Sequence, residues 1–347
     1  MSATPRPRRH PALALAALAL PAALLALAAP RPAASEEPKL KVGLVFDVGG
    51  LGDKSFNDAA NRGLERAKKE LAIEAQCVEP GEGSERANQL RKLATRGYSL
   101  IFGVGFMFTD DVNALAKKFP QIHWACVDYA TREGQEVPEN LVALKFKEQE
   151  GCFLIGALAA LTTKSGKVGF VGGMDIPLIH KFEAGYRPGA KAARADIEVI
   201  TGYAGSTGEA FKNPTKGKEL GLSQLQKGAD VIFHASGSTG LGVFEACKQE
   251  GKLAIGVDSD QWDASMPETI LTSMVKRVDT AVFETIKQAH DGAWKGGVRE
   301  LGLAEGGVGY VYDDHNKKLI PDAVREKVEA FKKDIVEGKI KVPSTRE

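Results

Sequence analysis

The side chains best suited to chemistry gather in a few short stretches. Residues 47–58 (DVGGLGDKSFND) place Asp47, Asn57 and Asp58 around one aromatic ring, Phe56, in a loop broken by glycines. Carboxylates and an amide bind the polar edge of a ligand, and a phenyl group stranded among them can stack on a flat one. A lone Phe is otherwise a packing residue, and both roles stay open at this point. Gly49, Gly50 and Gly52 lack the spacing of a phosphate-binding loop and read as turn residues. Residues 236–242 (SGSTGLG) follow an apolar run and open a helical stretch. Gly237 and its neighbours there either present backbone N–H groups at a helix N-terminus or let strand and helix pack closely. In residues 256–261 (GVDSDQ), Asp258 and Asp260 are acceptors for sugar hydroxyls. Lys276 either reaches a ligand hydroxyl, pairs with one of those carboxylates, or stays an exposed lysine beside a hinge.

Signatures of catalysis do not accompany this set. Neither G-x-S-x-G nor a Ser-His-Asp order is present, and no second carboxylate pair supplies the separate acid and base environments of glycoside hydrolysis. The six histidines are scattered singly, and no two of the four cysteines have C-x-x-C spacing. The residues support recognition of a small polar molecule, with no cofactor and no metal.

Loops of this kind need rigid elements behind them. From residue 41 onward, β-branched runs alternate with amphipathic stretches, the pattern of a mostly parallel α/β sheet. Strands are predicted at 41–46, 74–78, 100–104 and 123–127, with helices at 56–71, 84–95 and 109–118. An extended run at 140–146 leads into an apolar helix at 150–161, and the rhythm then repeats. Strands follow at 167–171, 198–203, 230–234 and 253–257, with helices at 179–194, 214–226 and 241–249. Two doubly wound units describe two lobes and a cleft, and each candidate loop sits at the carboxyl end of a strand, where such sheets hold ligands. Extended runs at 269–275 and 308–312, before helices at 278–294 and 322–337, complete three crossings. A three-stranded hinge of this kind lets two rigid lobes close on a ligand. The expected division is 36–143 plus 272–307 for the first lobe and 144–271 plus 308–347 for the second.

With 347 residues, 43% of them hydrophobic and 26% charged, the chain exceeds the size at which a single core forms easily. Lys+Arg 46 against Asp+Glu 45 leaves a net charge of +1, which offers no field to attract nucleic acid or an anionic membrane surface. Residues 1–35 differ from the rest: Arg6, Arg8 and Arg9 precede an Ala-rich apolar run at 12–29, interrupted by Pro21 and followed by small residues. That is the order of a cleavable secretory signal peptide. The mature chain is expected to start between Ala29 and Glu36 and to be a soluble periplasmic monomer. No cysteine precedes Cys77, so no lipid anchor on an N-terminal cysteine is expected. Export would take Cys77, Cys126, Cys152 and Cys247 into an oxidising space, where up to two bridges are open to them and no pairing is favoured.

Taken in order, the segments KVGLVFDVGGLGDKSFND, EGCFLIGALAALTTKSGKVGFVGG, KFEAGYRPGAKA, GSTGLGVFEA, AIGVDSDQ and LTSMVKRVD resemble the basic membrane protein (BMP) family of ABC-transporter substrate-binding proteins, the PnrA-like purine nucleoside receptors. The resemblance spans nearly the whole mature chain. It implies a type I periplasmic-binding-protein fold, an ABC permease in the inner membrane as partner, and a purine nucleoside as ligand. The base would be held between aromatic rings and the ribose by polar groups of the second lobe and hinge. By this resemblance Asp47 bonds the base edge, Phe56 and Phe211 (in GEAFKNPTKGKE) are the stacking rings, and Gly237, Asp258 and Lys276 contact the ribose. Asn57 and Phe106 are placed on the same cleft. Two features depart from the family pattern: Asn213 stands where Asp is frequent, and the lipid-anchor cysteine has no counterpart. A hexose also stacks on rings and bonds to Asp, so a sugar remains an alternative ligand. A nucleoside hydrolase or phosphorylase, the enzymatic alternative, would need a metal-binding Asp cluster or a phosphate site.

Overall fold

The computed structural model describes residues 1–4, 39–80 and 85–346. The expected leader falls outside them apart from its first four residues. Among the described residues no helix is long and apolar enough to cross a membrane.

Two six-stranded sheets organise the chain. With elements numbered in chain order, the first contains β1 (Lys41–Val45), β2 (Glu74–Val78), β3 (Leu100–Val104), β4 (His123–Val127), β5 (Leu141–Phe146) and β11 (Gly297–Leu301). Its order is β11-β5-β4-β3-β1-β2, parallel throughout. The second contains β6 (Lys167–Met174), β7 (Glu198–Gly205), β8 (Val231–Ala235), β9 (Leu253–Asp258), β10 (Ile270–Lys276) and β12 (Val308–Tyr310). Its order is β12-β10-β9-β8-β6-β7, with β12 alone antiparallel. Helices α1 (Phe56–Glu70), α2 (Glu85–Thr95), α3 (Thr109–Lys118) and α8 (Val278–His290) pack on the first sheet. Helices α4 (Glu148–Thr162), α5 (Pro177–Ala193), α6 (Pro214–Gln226), α7 (Thr239–Gln249) and α9 (Asp322–Val336) accompany the second.

Central strands such as β3 (LIFGV) and β8 (VIFHA) are buried along their whole length, as parallel strands covered by helices on both faces must be. Helix α4 is enclosed in the same way, buried from Gly151 through Ala160, and its closest partner is α5. Glycines set that approach: a Cβ on Gly156 would stand 2.1 Å from the Tyr186 carbonyl oxygen, and one on Gly189 would stand 2.0 Å from that of Phe153. The small residues of the GCFLIGALAAL and EAGYRPGAKA segments therefore mark a helix contact. Each sheet reverses its strand order once, between β1 and β3 and between β6 and β8, and the loops beyond those points face the cleft.

The three-stranded hinge is present, displaced from the expected segments. Runs 140–146, 269–275 and 308–312 are largely strands β5, β10 and β12, each wholly within one sheet, and the chain changes lobes in the links beside them. Those links are Lys147, Arg277 and residues 302–307: Lys147 N–H donates to the carbonyl of Leu301, just before the third link (3.0 Å), and Arg277 N–H to that of Gly307 within it (2.8 Å). The expected change of lobe at residue 272 falls inside β10, which pairs only with β9 and β12. Strand β11 (GVREL) went unpredicted. It is a half-exposed edge strand with alternating polarity and Gly at its start, so no apolar run announces it. The helix expected at 278–294 stops at His290. Trp294 instead stacks on His123, with ring centroids 4.1 Å apart, and donates its Nε1 to the Glu139 carbonyl. All four cysteines are free thiols, Cys77 half-buried and the others buried.

Candidate functional site

The loop from β1 to α1 is folded by its own carboxylates. Asp53 accepts from the backbone N–H groups of Ser55 (2.8 Å), Asn57 (2.8 Å) and Asp58 (3.2 Å), and Asp58 accepts from those of Gly52 (2.8 Å) and Lys54 (2.9 Å). With those amides occupied, the glycine-rich turn does not cradle a phosphate. Asn57 Oδ1 accepts from Asp47 N–H at 2.8 Å, which ties the end of β1 to the first turn of α1. Behind Asp47 stands Gly105, with φ +110°, and a Cβ there would lie 2.1 Å from Asp47 Oδ2. The carboxylate occupies space that any other residue at 105 would fill.

Across the cleft, Phe211 ends a short 3-10 turn (Gly208–Phe211) and packs so closely on β6 that a Cβ on Gly173 would lie 2.3 Å from its ring. Its carbonyl accepts from Ser238 Oγ at 3.1 Å. Asn213 caps α6, its Oδ1 accepting from Lys216 N–H at 3.0 Å, so this departure from the family pattern has a structural role outside the cavity. Asp258 closes β9 in the left-handed region, φ +63°, a conformation that Asp tolerates better than most residues.

One cavity between the sheets is lined by Asp47, Phe56, Asn57, Phe106, Phe211, Gly237, Asp258 and Lys276, together with Asp53, Asp128, Phe182 and Ser236. The first eight of these, including the two brought by resemblance alone, are the residues expected at the site, and they meet at one place. Asp260 does not: it is exposed and accepts from the Trp262 backbone N–H, 3.1 Å away.

Lys276 lies at the bottom of the site, 2% exposed. Its Nζ donates to Asp128 Oδ2 at 2.6 Å and lies 3.1 Å from Glu148 Oε1 in an ion-pair contact. Lys181 Nζ supports the other oxygen of Glu148 at 3.2 Å. Lys276 also stands over the Phe56 and Phe146 rings, 5.1 Å from each centroid. Burial alone would lower its pKa, but Asp128, Glu148 and Asp258 outweigh it and hold the ammonium above its ordinary value. Burial likewise opposes ionisation of Glu148, and Lys276 and Lys181 override it, holding that carboxyl below its usual range. Asp128 Oδ1 is buried and lacks a hydrogen-bond partner. The sequence reading passed over Asp128 and Glu148. The signal available was position: Asp128 directly follows β4, at the same sheet edge as Asp47.

Burial raises the carboxyls of Asp47, Asp53, Asp128 and Asp258, all of which line the cavity. Burial pushes Asp47 up to about 7; the Val48 N–H opposes this, the neighbouring Asp128 adds to it, Arg86 opposes it and Asp53 adds to it. Burial pushes Asp258 to about 6, against the opposing pull of Lys276 and of the Ser55 hydrogen bond. Groups whose folded pKa lies above the unfolded value of about 4 bind more protons when folded, so they contribute stability at low pH and lose it as pH rises through about 6 to 7. The ligand-free protein should accordingly melt at a higher temperature at pH 5 than at pH 8, and Asp47→Asn should flatten that slope. Calorimetric scans at fixed ionic strength check it; a melting temperature that rises over this interval would contradict the assignment.

The family described as "ABC transporter substrate-binding protein PnrA-like" matches residues 40–346. An uncharacterized lipoprotein of Pyrococcus abyssi is 40% identical over 291 residues, covering 80% of this chain and 70% of its own. The CD4+ T-cell-stimulating antigen of Listeria monocytogenes is 35% identical over 323 residues, 87% of each chain. Among solved structures, an ABC transporter system solute-binding protein from Aeropyrum pernix superposes with a TM-score of 0.79 at 31% identity, covering 89% of this chain and 94% of that one.

Proposed function

The chain belongs to the PnrA-like family of ABC-transporter substrate-binding proteins, and from that premise we propose that it captures a purine nucleoside between its lobes and delivers it unchanged to an importer's permease. The observation that carries this reading is the composition of the cavity that holds these residues. Two aromatic rings on opposite lobes, Phe56 and Phe211, line it together with Asp47 on one side and Asp258 and Lys276 on the other. A nucleoside has a flat base and a hydroxyl-rich sugar, and this set answers both halves. Asp47 and Asn57 take the base edge, with Phe106 beside them. Gly237, Asp258, Lys276 and the spare oxygen of Asp128 take the ribose hydroxyls. The leader expected at 1–35 directs the protein to the periplasm, where it works as a monomer.

A Ser–His pair does border the cavity, Ser236 Oγ lying 3.4 Å from His234 Nδ1. The imidazole is backed by Gln261 Oε1 at 3.0 Å in place of a carboxylate, and burial lowers its pKa to about 4. It is a weak base whose charged form has a neutral amide for a partner where a triad would supply a carboxylate, which favours capture over chemistry. Incubation of the purified protein with nucleosides, followed by chromatography for released base, tests this directly.

Calorimetric titration is expected to show one purine nucleoside, adenosine, guanosine or inosine, bound per chain, with free bases and hexoses bound more weakly. Tight binding of a hexose with no response to any nucleoside would transfer the site to the sugar class.

A further inference from the structure

A serine at a helix N-cap ordinarily turns its hydroxyl toward its own helix and accepts from the first-turn N–H groups. Ser55 holds the N-cap of α1 and makes no such bond. Asp53 satisfies those N–H groups instead. The Ser55 hydroxyl, fully buried, is left to cross from the first lobe to the second, where it donates to Asp258 Oδ2 at 2.5 Å. The second lobe reciprocates: Ser259 Oγ donates to the Ser55 carbonyl at 3.0 Å, and Arg62 of α1 holds Ser259 Oγ at 2.6 Å. Lobe meets lobe through a reciprocal pair of hydrogen bonds made entirely of protein atoms. Nearby, Lys54 and Asp263 form a further bridge at 3.1 Å, but it is exposed and contributes little.

We propose that Ser55 is a positioning residue that couples ligand occupancy to closure, fixing the Asp258 carboxylate on the ligand and slowing the opening of the lobes. Its hydroxyl can reach Asp258 only when the lobes are together. Asp258 is then gripped from both sides of the cleft, by Ser55 of the first lobe and by the charge of Lys276. Removing the hydroxyl leaves a buried carboxylate oxygen without its donor in the closed state alone. The penalty therefore falls on closure and not on the fold of either lobe. In assigning Asp258 to the ligand, the inference rests on the reading proposed above.

Stopped-flow release of adenosine and of 2′-deoxyadenosine, with small-angle scattering of the ligand-free protein, tests it. Ser55→Ala should speed release of both nucleosides roughly tenfold to hundredfold, the scale of a lost hydrogen bond to a charged group. The affinity ratio of the two nucleosides should stay as in the native protein, whereas Asp258→Asn should change it. Ser55→Thr, which keeps the hydroxyl, should restore slow release, and Lys54→Ala should leave it unaltered. Unchanged release in Ser55→Ala would overturn the proposal, as would a shift in the ratio matching that of Asp258→Asn, since Ser55 would then be acting on the ligand itself. If no nucleoside binds at all, the nucleoside reading fails and scattering alone decides the clasp. A larger radius of gyration for ligand-free Ser55→Ala than for the native protein would then support it, and identical profiles would sink it.

Discussion

Replacing Lys276 with methionine is expected to destabilise the protein by about 3–5 kcal/mol, the range for removing one partner of a buried ion pair, and to abolish ligand capture. Methionine matches the stem of the lysine in length and fills the space, so the effect isolates the charge. The ammonium is the neighbour shared by Asp128, Glu148 and Asp258, and among the described residues only Glu148 has a second cation, Lys181, within bonding distance. Without Lys276 these buried carboxylates face one another in a low dielectric and are driven to take up protons. Their folded pKa values then rise relative to those of the unfolded chain, so stability should be lowest at pH 8 and recover toward pH 5. Urea denaturation of the native and Lys276→Met proteins at both pH values measures this. A variant as stable as the native protein at pH 8 would mean that the carboxylates do not depend on the lysine, and the charge centre described above would be wrong. Calorimetry on the same samples reads ligand capture, and it is best done at pH 5, where the variant is expected to stay folded.

Phe56→Ala and Phe211→Ala should each weaken nucleoside binding by about 1–3 kcal/mol, the scale measured for a base stacked on an aromatic side chain. Both rings are only half-buried, packed on one side against the core and lining the cavity. Truncation should therefore lower the melting temperature far less than truncating a fully buried ring such as Phe102. The two rings share one base between them, so their effects on affinity should be coupled and not simply additive. Titration calorimetry and thermal melting on the single and double variants separate binding from folding. If either change leaves affinity intact while lowering the melting temperature by many degrees, that ring belongs to the core and one half of the proposed stack is lost.

Much of the fold is written locally. Strands at 74–78, 100–104 and 123–127 and helices at 109–118 and 214–226 coincide with the structure to the residue, because each shows an apolar or alternating run or a helical period of its own. The repetition of that rhythm is enough to indicate two doubly wound units. Their strand ends then mark where ligand-facing loops lie, which brings Asp47, Phe56, Gly237 and Asp258 to one cleft. Resemblance was needed for Phe106 and Phe211, since each sits in a short 3-10 turn with no periodic pattern to distinguish it from a packing residue.

Tertiary structure decided the rest, and it did so wherever a residue's role depends on what arrives from far along the chain. Asp258 and Asp260 stand two apart in one loop and read alike. The left-handed turn at Asp258 and the arrival of Ser55 from 203 positions away put the first in the cavity, and the second is left in solvent. Lys276 could equally have been an exposed hinge lysine. Asp128, 148 positions distant, and Glu148 at the start of α4 bury and neutralise it. Ser55 reads as an ordinary N-cap until Asp53 is seen to have taken that duty. Local patterning sets which backbone forms, because strand and helix periods are short-range properties. Charge pairing and the contacts across the cleft are long-range, and they exist only once segments far apart in the chain are brought together.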